Sequence, residues 1–476
     1  MALVAFGWSV AGPFHLDDAT VLSARAVTEF SGPLRLLRYP QSHPLTWLTF
    51  WVNYQLGGAN PVGWHVVNLL LHLASVLLVF SALRRLIPER AALLAAALFA
   101  VHPLNAEAVN YVHARGALLC TVLTLASLRD WLDGRRWLAV AWFAGALLAS
   151  NQCLTFPLFI LLLSFGPSRE RREWKPLAAM LALSLLAALE TLCASASAGI
   201  SRLAYLAAEG PVLLRYLRLL LIPAGLTVDP DVRLITGWPA VPSWFVVLAL
   251  AAAALRLSSG FRAGFWFLAG LLLLLQGTSM FPTDGLAADS RMYLPMIAFA
   301  AAGAMLMYTM RTPALVVVCA SLAAISISRC EVWRTDVALW SEAVRLSPEK
   351  LRPRIQLARA LPPVRALSVL AEAEETAPAD PALLAEQGRI YLSIGDAAQA
   401  LELFDGALAA NPANPLALSG HGVALLELGR SDAARRDFEQ ALAIDPCQSA
   451  ALRGLHRIGI DKAVAESCEN RELTLP

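Results

Sequence analysis

Charge is what this chain has least of. Only 16% of its 476 residues are Asp, Glu, Lys or Arg, and among the basic residues only Lys175, Lys350 and Lys462 are lysines. With 38 basic residues against 36 acidic ones and no basic patch interleaved with aromatics, nucleic acid is not an expected partner. The seven cysteines show no paired metal-ligand spacing. Cys120, Cys153, Cys193 and Cys319 lie inside apolar runs and read as small core residues. Cys447 and Cys468 stand in the C-terminal region and are free to pair only in an oxidising compartment. There is no phosphate-binding loop and no nucleotide-sugar fold pattern. No charged segment precedes the first apolar run, so a cleaved signal peptide is not expected.

What is there is apolar. Mean hydropathy is +0.57 and 57% of residues are hydrophobic, well above a soluble globular chain. Runs near the ~20 residues that span a bilayer fall at 63–83, 91–109, 111–128, 137–150, 152–165, 176–198, 241–255, 264–280, 292–308 and 314–328. Residues 1–13 make a clipped eleventh, so the true start is expected upstream. The stretch 211–228, containing RYLRLLLIPAGL, is too short and arginine-rich to cross and reads as an interfacial or re-entrant helix. Alternate loops differ sharply in basic density. The set 84–90, 129–136, 166–175, 256–263 and 309–313 holds 13 Lys/Arg in 38 residues, against 9 in the 108 residues of the opposite set. The positive-inside rule puts the dense set in the cytoplasm and the long loops, with the C-terminal region, on the other side. Arginine in place of lysine, beside many alanines, points to GC-rich coding and a bacterial inner membrane, with the C-terminal region in the periplasm or outside.

From about residue 330 the composition turns polar and a 34-residue period appears. Gly388 and Gly422, Gly395 and Gly429, Phe404 and Phe438, Ala407 and Ala441, and Pro412 and Pro446 are each 34 apart. This is the period of tetratricopeptide helical hairpins, in which small residues let two helices approach, an aromatic fills the gap and a proline stops the second helix. Leu370, Ala373 and Pro378 repeat the pattern earlier, Trp340, Ala343 and Pro348 earlier still, and a helix at 447–459 closes the stack. The expected architecture is all-α: a multi-pass membrane domain over 1–330 and a repeat domain over 331–476, with clear repeats at 379–412 and 413–446. The concave face of such an array suits a peptide or a partner segment.

Ionisable residues cluster at the outer ends of the spans. Phe14, His15, Leu16, Asp17 and Asp18 follow the first run, and two adjacent carboxylates there serve either as a solvated helix cap or as a base at the mouth of a lipid-facing cavity. HPLNAEAVNYVHARG, 102–116, places His102, Glu107, His113 and Arg115 between two spans. Charges at such depth cost roughly 2.5–3.5 kcal/mol each, so they face a wet cavity or one another. Ser290, Arg291, Met292, Tyr293, Leu294 and Pro295 open another span; Arg291 is suited to grip a phosphate or to snorkel to headgroups. Charges grouped at one face, not at the midplane, argue against a transporter.

These segments, together with RYPQSHPLTWLTFWVNYQLGGANPVGWHVVNLLLH at 38–72 and RYLRLLLIPAGLTVDPD at 215–231, resemble the transmembrane-and-tetratricopeptide-repeat proteins and their bacterial relatives. That family is similar to protein O-mannosyltransferases. The resemblance implies a GT-C glycosyltransferase fold, a polyprenyl-phosphate-linked sugar donor, and an acceptor protein hydroxyl on the outer face, the acceptor reached through the repeats. It puts Asp17 and Asp18 on the loop of the catalytic acid and Arg115 and Arg291 at the donor phosphate, with His102, Glu107 and Tyr293 in support. No cofactor or metal site is called for, and a divalent metal stays open. The chain departs from the family where an acid is replaced by Ala117, a Lys-Glu pair by Asn151 and Gln152, and a Glu by Ser290. Either the donor site is retuned, or catalysis has decayed and a membrane-anchored repeat scaffold for protein interaction or envelope assembly remains.

Overall fold

A computed structural model describes residues 1–29, 43–164, 173–194, 202–232, 238–256, 258, 262–275 and 286–460. Helices are its only regular elements, with no strand among the described residues. The chain divides between Thr335 and Asp336 into two compact units.

Among the described residues of the first unit three helices are long and apolar enough to cross a bilayer: Pro61–Leu83, Trp174–Cys193 and Thr312–Val332. A fourth crossing arises if Glu89–Val101 and Pro103–Asn110, bent by 51°, are taken together. Shorter apolar helices, among them Arg136–Ala149, Val241–Arg256 and Met296–Met307, lie at other runs read from the sequence. The bend has a local cause. Pro103 has no N–H to continue the helix and pushes the residue before it out of the α region; His102 is extended (φ −76°, ψ 130°) and its Nδ1 accepts from the Leu104 N–H at 3.2 Å.

Pro61–Leu83 shows how such a helix is organised. Asn60 caps its first turn, accepting from Val62 N at 3.1 Å. His65, Asn68, His72 and Ser75, spaced three and four apart, share one buried face, while Leu70 and Leu77 point outward, 59% and 71% exposed. Polar inside and apolar outside inverts the soluble pattern and fits a helix solvated by lipid. Alanine is frequent on helices that meet: Ala298, Ala300 and Ala301 of Met296–Met307 and Ala95, Ala96 and Ala100 of Glu89–Val101 are buried in one core, as expected where helices without a hydrophobic drive gain by close contact.

Two elements differ from the sequence reading. Residues 44–57, where the sequence shows no apolar run of spanning length, form the helix Pro44–Gly57, whose Thr, Asn and Gln content masked it. Of the stretch 211–228 read as interfacial, residues 211–221 are the end of a longer helix, Arg202–Leu221, which tolerates Pro211 in its interior, and 222–228 follow it as non-helical chain.

The second unit is a run of helical hairpins from Asp336–Leu346 to Ser449–Arg457. Its period is visible in the caps: Asp380 accepts from Ala382 N and Leu383 N, and Asn414, 34 residues on, accepts from Leu416 N and Ala417 N. Gly395 and Gly429 take φ 86° and 77° to close the turns. Phe404 and Phe438 are buried against glycines: a Cβ on Gly388 would stand 2.9 Å from the Phe404 ring, and one on Gly422 2.6 Å from Phe438. Cys447 is disulfide-bonded; Cys468, its expected partner, lies outside the described residues.

His421 joins three helices. Its Nδ1 is 2.6 Å from Asp437 and its Nε2 3.1 Å from Asp405. The hydrogen bond to Asp437, and the negative charge of both carboxylates, raise its pKa above the ordinary histidine value despite burial.

Two outcomes are expected of the repeat unit expressed as residues 336–460. Phe438→Ala should cost about 3–5 kcal/mol of stability in chemical melts, and Gly422→Ala about 1–3 kcal/mol by overpacking. The His421 contribution is present below about pH 6.5, the unfolded histidine pKa, and is lost as pH rises through the higher folded value. Melting temperature should therefore fall across that window, and His421→Gln should flatten the profile.

Candidate functional site

The loop that leaves the first apolar segment is held in an uncommon shape. Leu16 has φ 49°, a left-handed conformation for a branched side chain, immediately before the two acids. The acids have different jobs. Asp18 is fully buried; Oδ2 accepts from its own loop at His15 N (3.0 Å) and Oδ1 from His113 N (2.8 Å). Burial pushes its carboxyl up to about 7, the two N–H donors opposing this. Asp17 is exposed, and its Oδ2 accepts from the Tyr111 hydroxyl at 2.9 Å, while that oxygen accepts from Asp17 N at 3.2 Å. Burial and the negative charges of Asp17 and Asp18 raise the Tyr111 phenol well above its usual pKa, so it stays a donor. Asp18 thus joins loops 14–18 and 111–114, and Asp17 presents a carboxylate at their surface.

Arg115 opens the helix that follows. It is completely buried, and its guanidinium donates to Asn68 Oδ1 (2.8 Å), Asn53 Oδ1 (3.0 Å), the Trp64 carbonyl (3.0 Å) and the Thr49 carbonyl (3.3 Å). The rings of Phe50 and Trp64 stack against it at 4.8 and 5.3 Å. Asn68 also donates to the Tyr111 carbonyl at 3.2 Å, linking this cation to the acid loop.

On the other side of the acid loop lies Trp333. Its carbonyl is 2.6 Å from His15 Nε2, and its ring lies 5.6 Å from that of His15 and 6.1 Å from that of Tyr111. Trp333 also lines a cavity of about 10 Å³, room for about one water, shared with Pro103, Ala106, Glu107, Leu226, Thr227, Asp289 and Arg329. Two lining residues carry buried polar atoms, Thr227 Oγ1 and Trp333 Nε1, that make no hydrogen bond among the described residues. Glu107 accepts from Asp289 N (3.1 Å), Ser290 N (3.3 Å) and Ser290 Oγ (2.8 Å). Asp289 pairs with Arg215 at 2.7 Å. Arg291 donates to the Leu286 carbonyl at 3.0 Å and reaches towards Tyr205 Oη at 3.5 Å.

The residues read from the sequence therefore fall into linked groups. Asp17, Asp18 and Arg115 share one network through Tyr111 and Asn68. Glu107 belongs to a second, at the cavity, whereas Arg291 does not line the cavity and is engaged by the Leu286 carbonyl and Tyr205. His102 and Tyr293 are structural: His102 Nε2 lies 3.2 Å from the Leu220 carbonyl, and Tyr293 Oη is 2.7 Å from His72 Nδ1. Tyr111, Trp333, Asp289 and Arg215 carry no role in the sequence reading. Tyr111 and Arg215 lie inside motifs recognised there, and Asp289 immediately precedes one; Trp333 had no local signal.

Three of the four departures have matching surroundings; the fourth, Gln152, has a buried Oε1 that makes no hydrogen bond among the described residues. A Glu at 290 would bring a second carboxylate against Glu107, whereas Ser290 donates to it. Ala117 is buried in the apolar core, with no room for an acid. Asn151 donates to Thr191 Oγ1 at 2.9 Å.

Comparison with known proteins finds a repeat family in the second unit and relatives of part of the chain. Residues 363–415 and 385–451 match the Tetratricopeptide repeat family. The chain is similar to Protein O-mannosyl-transferase TMTC4 of Homo sapiens, 37% identical over 198 residues that cover 33% of this chain and 27% of that protein. It is also similar to Protein O-mannosyl-transferase Tmtc1 of Drosophila melanogaster, 40% identical over 24% of this chain and 14% of that one. The matches thus span about a quarter or less of these curated relatives. Among solved structures, MamA matches 29% of this chain and 82% of its own at 14% identity with a TM-score of 0.22, and yeast Tom70 84% and 90% at 14% identity with a TM-score of 0.26; likenesses this slight carry no argument.

The two acids should separate on substitution. Both oxygens of Asp18 accept from backbone N–H groups, so Asp18→Asn turns an amide donor towards another donor and should cost about 1–3 kcal/mol in thermal melts of the detergent-purified protein. Asp17→Asn, at the exposed position, should cost less than about 1 kcal/mol.

Proposed function

We propose that this protein is a membrane glycosyltransferase that moves a sugar, mannose by analogy with its relatives, from a polyprenyl-phosphate-linked donor to a Ser or Thr hydroxyl of an acceptor protein on the non-cytoplasmic face. The observation that carries the reading is a chain of contacts: exposed Asp17 is held by Tyr111, the Tyr111 ring lies 6.1 Å from that of Trp333, Trp333 lines the cavity shared by Glu107 and Asp289, and Asp289 pairs with Arg215. Asp17 takes the proton from the acceptor hydroxyl as it attacks the anomeric carbon with inversion. The lipid phosphate departs as an anion, and guanidinium groups neutralise it. General-base assistance of about 10²–10⁴-fold and stabilisation of the leaving charge are the two contributions required.

In this proposal the membrane domain spans residues 1–330 and crosses about eleven times, and the repeats over 331–476 hold the acceptor. A disulfide at Cys447 supports an oxidising compartment for the repeat unit, as the basic-loop asymmetry does. Asp18 and Arg115 keep the base-bearing loop in place, and Arg291 serves the donor phosphate. The arrangement favours an enzyme over a decayed scaffold, because a scaffold has no use for a carboxylate displayed by a left-handed residue and a phenol.

Glycan occupancy on outer-face proteins in a deletion strain complemented with each variant tests the reading. Asp17→Asn should reduce occupancy at least 10²-fold with unchanged protein level, and full occupancy with this variant would remove the catalytic assignment.

A further inference from the structure

Arg215 carries a role that neither the acid loop nor its own structure uses. Its Nη1 donates to Asp289 Oδ1 at 2.7 Å, but its Nη2 is buried and makes no hydrogen bond among the described residues. A guanidinium nitrogen withdrawn from water with no acceptor is costly, and native structures keep such groups where an incoming partner satisfies them. Arg115 is the contrast. Four hydrogen bonds engage it and two aromatic rings cover it, so its charge already holds Pro44–Gly57, Pro61–Leu83 and its own helix together.

The location of Arg215 defines what could satisfy it. It lies in Arg202–Leu221, whose ends expose Leu203, Leu221 and Ile222 at 75%, 85% and 61%, the apolar display of a helix at a lipid boundary. Asp289 ties it to the wall of the cavity and fixes the guanidinium plane, leaving one edge for an oxyanion. Arg291 stands two residues beyond Asp289, and Arg215 and its neighbour Tyr216 both meet the segment 288–291: Arg215 pairs with Asp289, and Tyr216 Oη donates to the Ala288 carbonyl at 2.8 Å and accepts from Ala288 N at 3.0 Å. A planar fork aimed at one oxygen-bearing anion is what distinguishes arginine from lysine in phosphate recognition.

We propose that Arg215, in place of Arg115 and alongside Arg291, binds the phosphate of the lipid-linked donor, with Asp289 as its positioning residue. The proposal rests on the glycosyl-transfer reading for the identity of the ligand, but its test does not require transfer. The full-length protein in detergent is titrated with a long-chain isoprenyl phosphate, and separately with inorganic phosphate, while its melting temperature is followed. The isoprenyl phosphate should raise the wild-type melting temperature, inorganic phosphate should do so only at much higher concentration, and Arg215→Gln should weaken the response by about tenfold or more. Arg215→Lys, which keeps the charge and the contact with Asp289, should fall between. Arg115→Gln should lower the starting melting temperature yet keep the response. A response that survives in Arg215→Gln would overturn the proposal alone. Absence of any response in the wild type would overturn it together with the lipid-phosphate reading.

Discussion

A single buried carboxylate holds the candidate site in one piece. Asp18 accepts one N–H from its own loop and one from His113, 95 residues away in sequence, and so fixes the distance between the end of the first apolar segment and the turn that opens Arg115–Leu132. The exposed position of Asp17, the reach of the Tyr111 hydroxyl and the packing of His15 on Trp333 follow from that closure. The cost of burying Asp18 is visible in its raised pKa, and it is offset by two backbone donors that would otherwise be orphaned.

Arg115 solves a related problem differently. Among the described residues no carboxylate touches it; amide and carbonyl oxygens and the faces of Phe50 and Trp64 disperse its charge. Neutral acceptors keep the cation from forming a tight ion pair, so its field persists across the nearby polar groups. The same principle governs Pro61–Leu83, where His65, Asn68, His72 and Ser75 face the interior while Leu70 and Leu77 face out.

Much of this was legible in the residues. The 34-residue period announced the repeats, because each hairpin reuses the same glycine, aromatic and proline, and hydropathy placed the apolar helices. Asp17, Asp18 and Glu107 stood out because charge is rare here. What the sequence could not reveal was the difference between the adjacent acids, since exposure is decided by a loop 95 residues away. Arg115 and Arg215 look alike as letters, and only the acceptors around each distinguish a saturated guanidinium from one with an open edge. Trp333 was invisible because its importance comes from what folds against it. The helix Pro44–Gly57 was missed because hydropathy averages over both faces, and its polar residues serve the inner one.

The glycine and phenylalanine pattern of the repeats has an architectural effect. Phe404 lies against Gly388 in its own hairpin and Gly420 in the next, and Phe438 against Gly422 and Gly454. Each ring is thus a rivet through two consecutive units, and neither unit contains a complete joint. Such an array can grow or shrink in evolution only by whole 34-residue modules, because any other insertion separates a rivet from one of its holes.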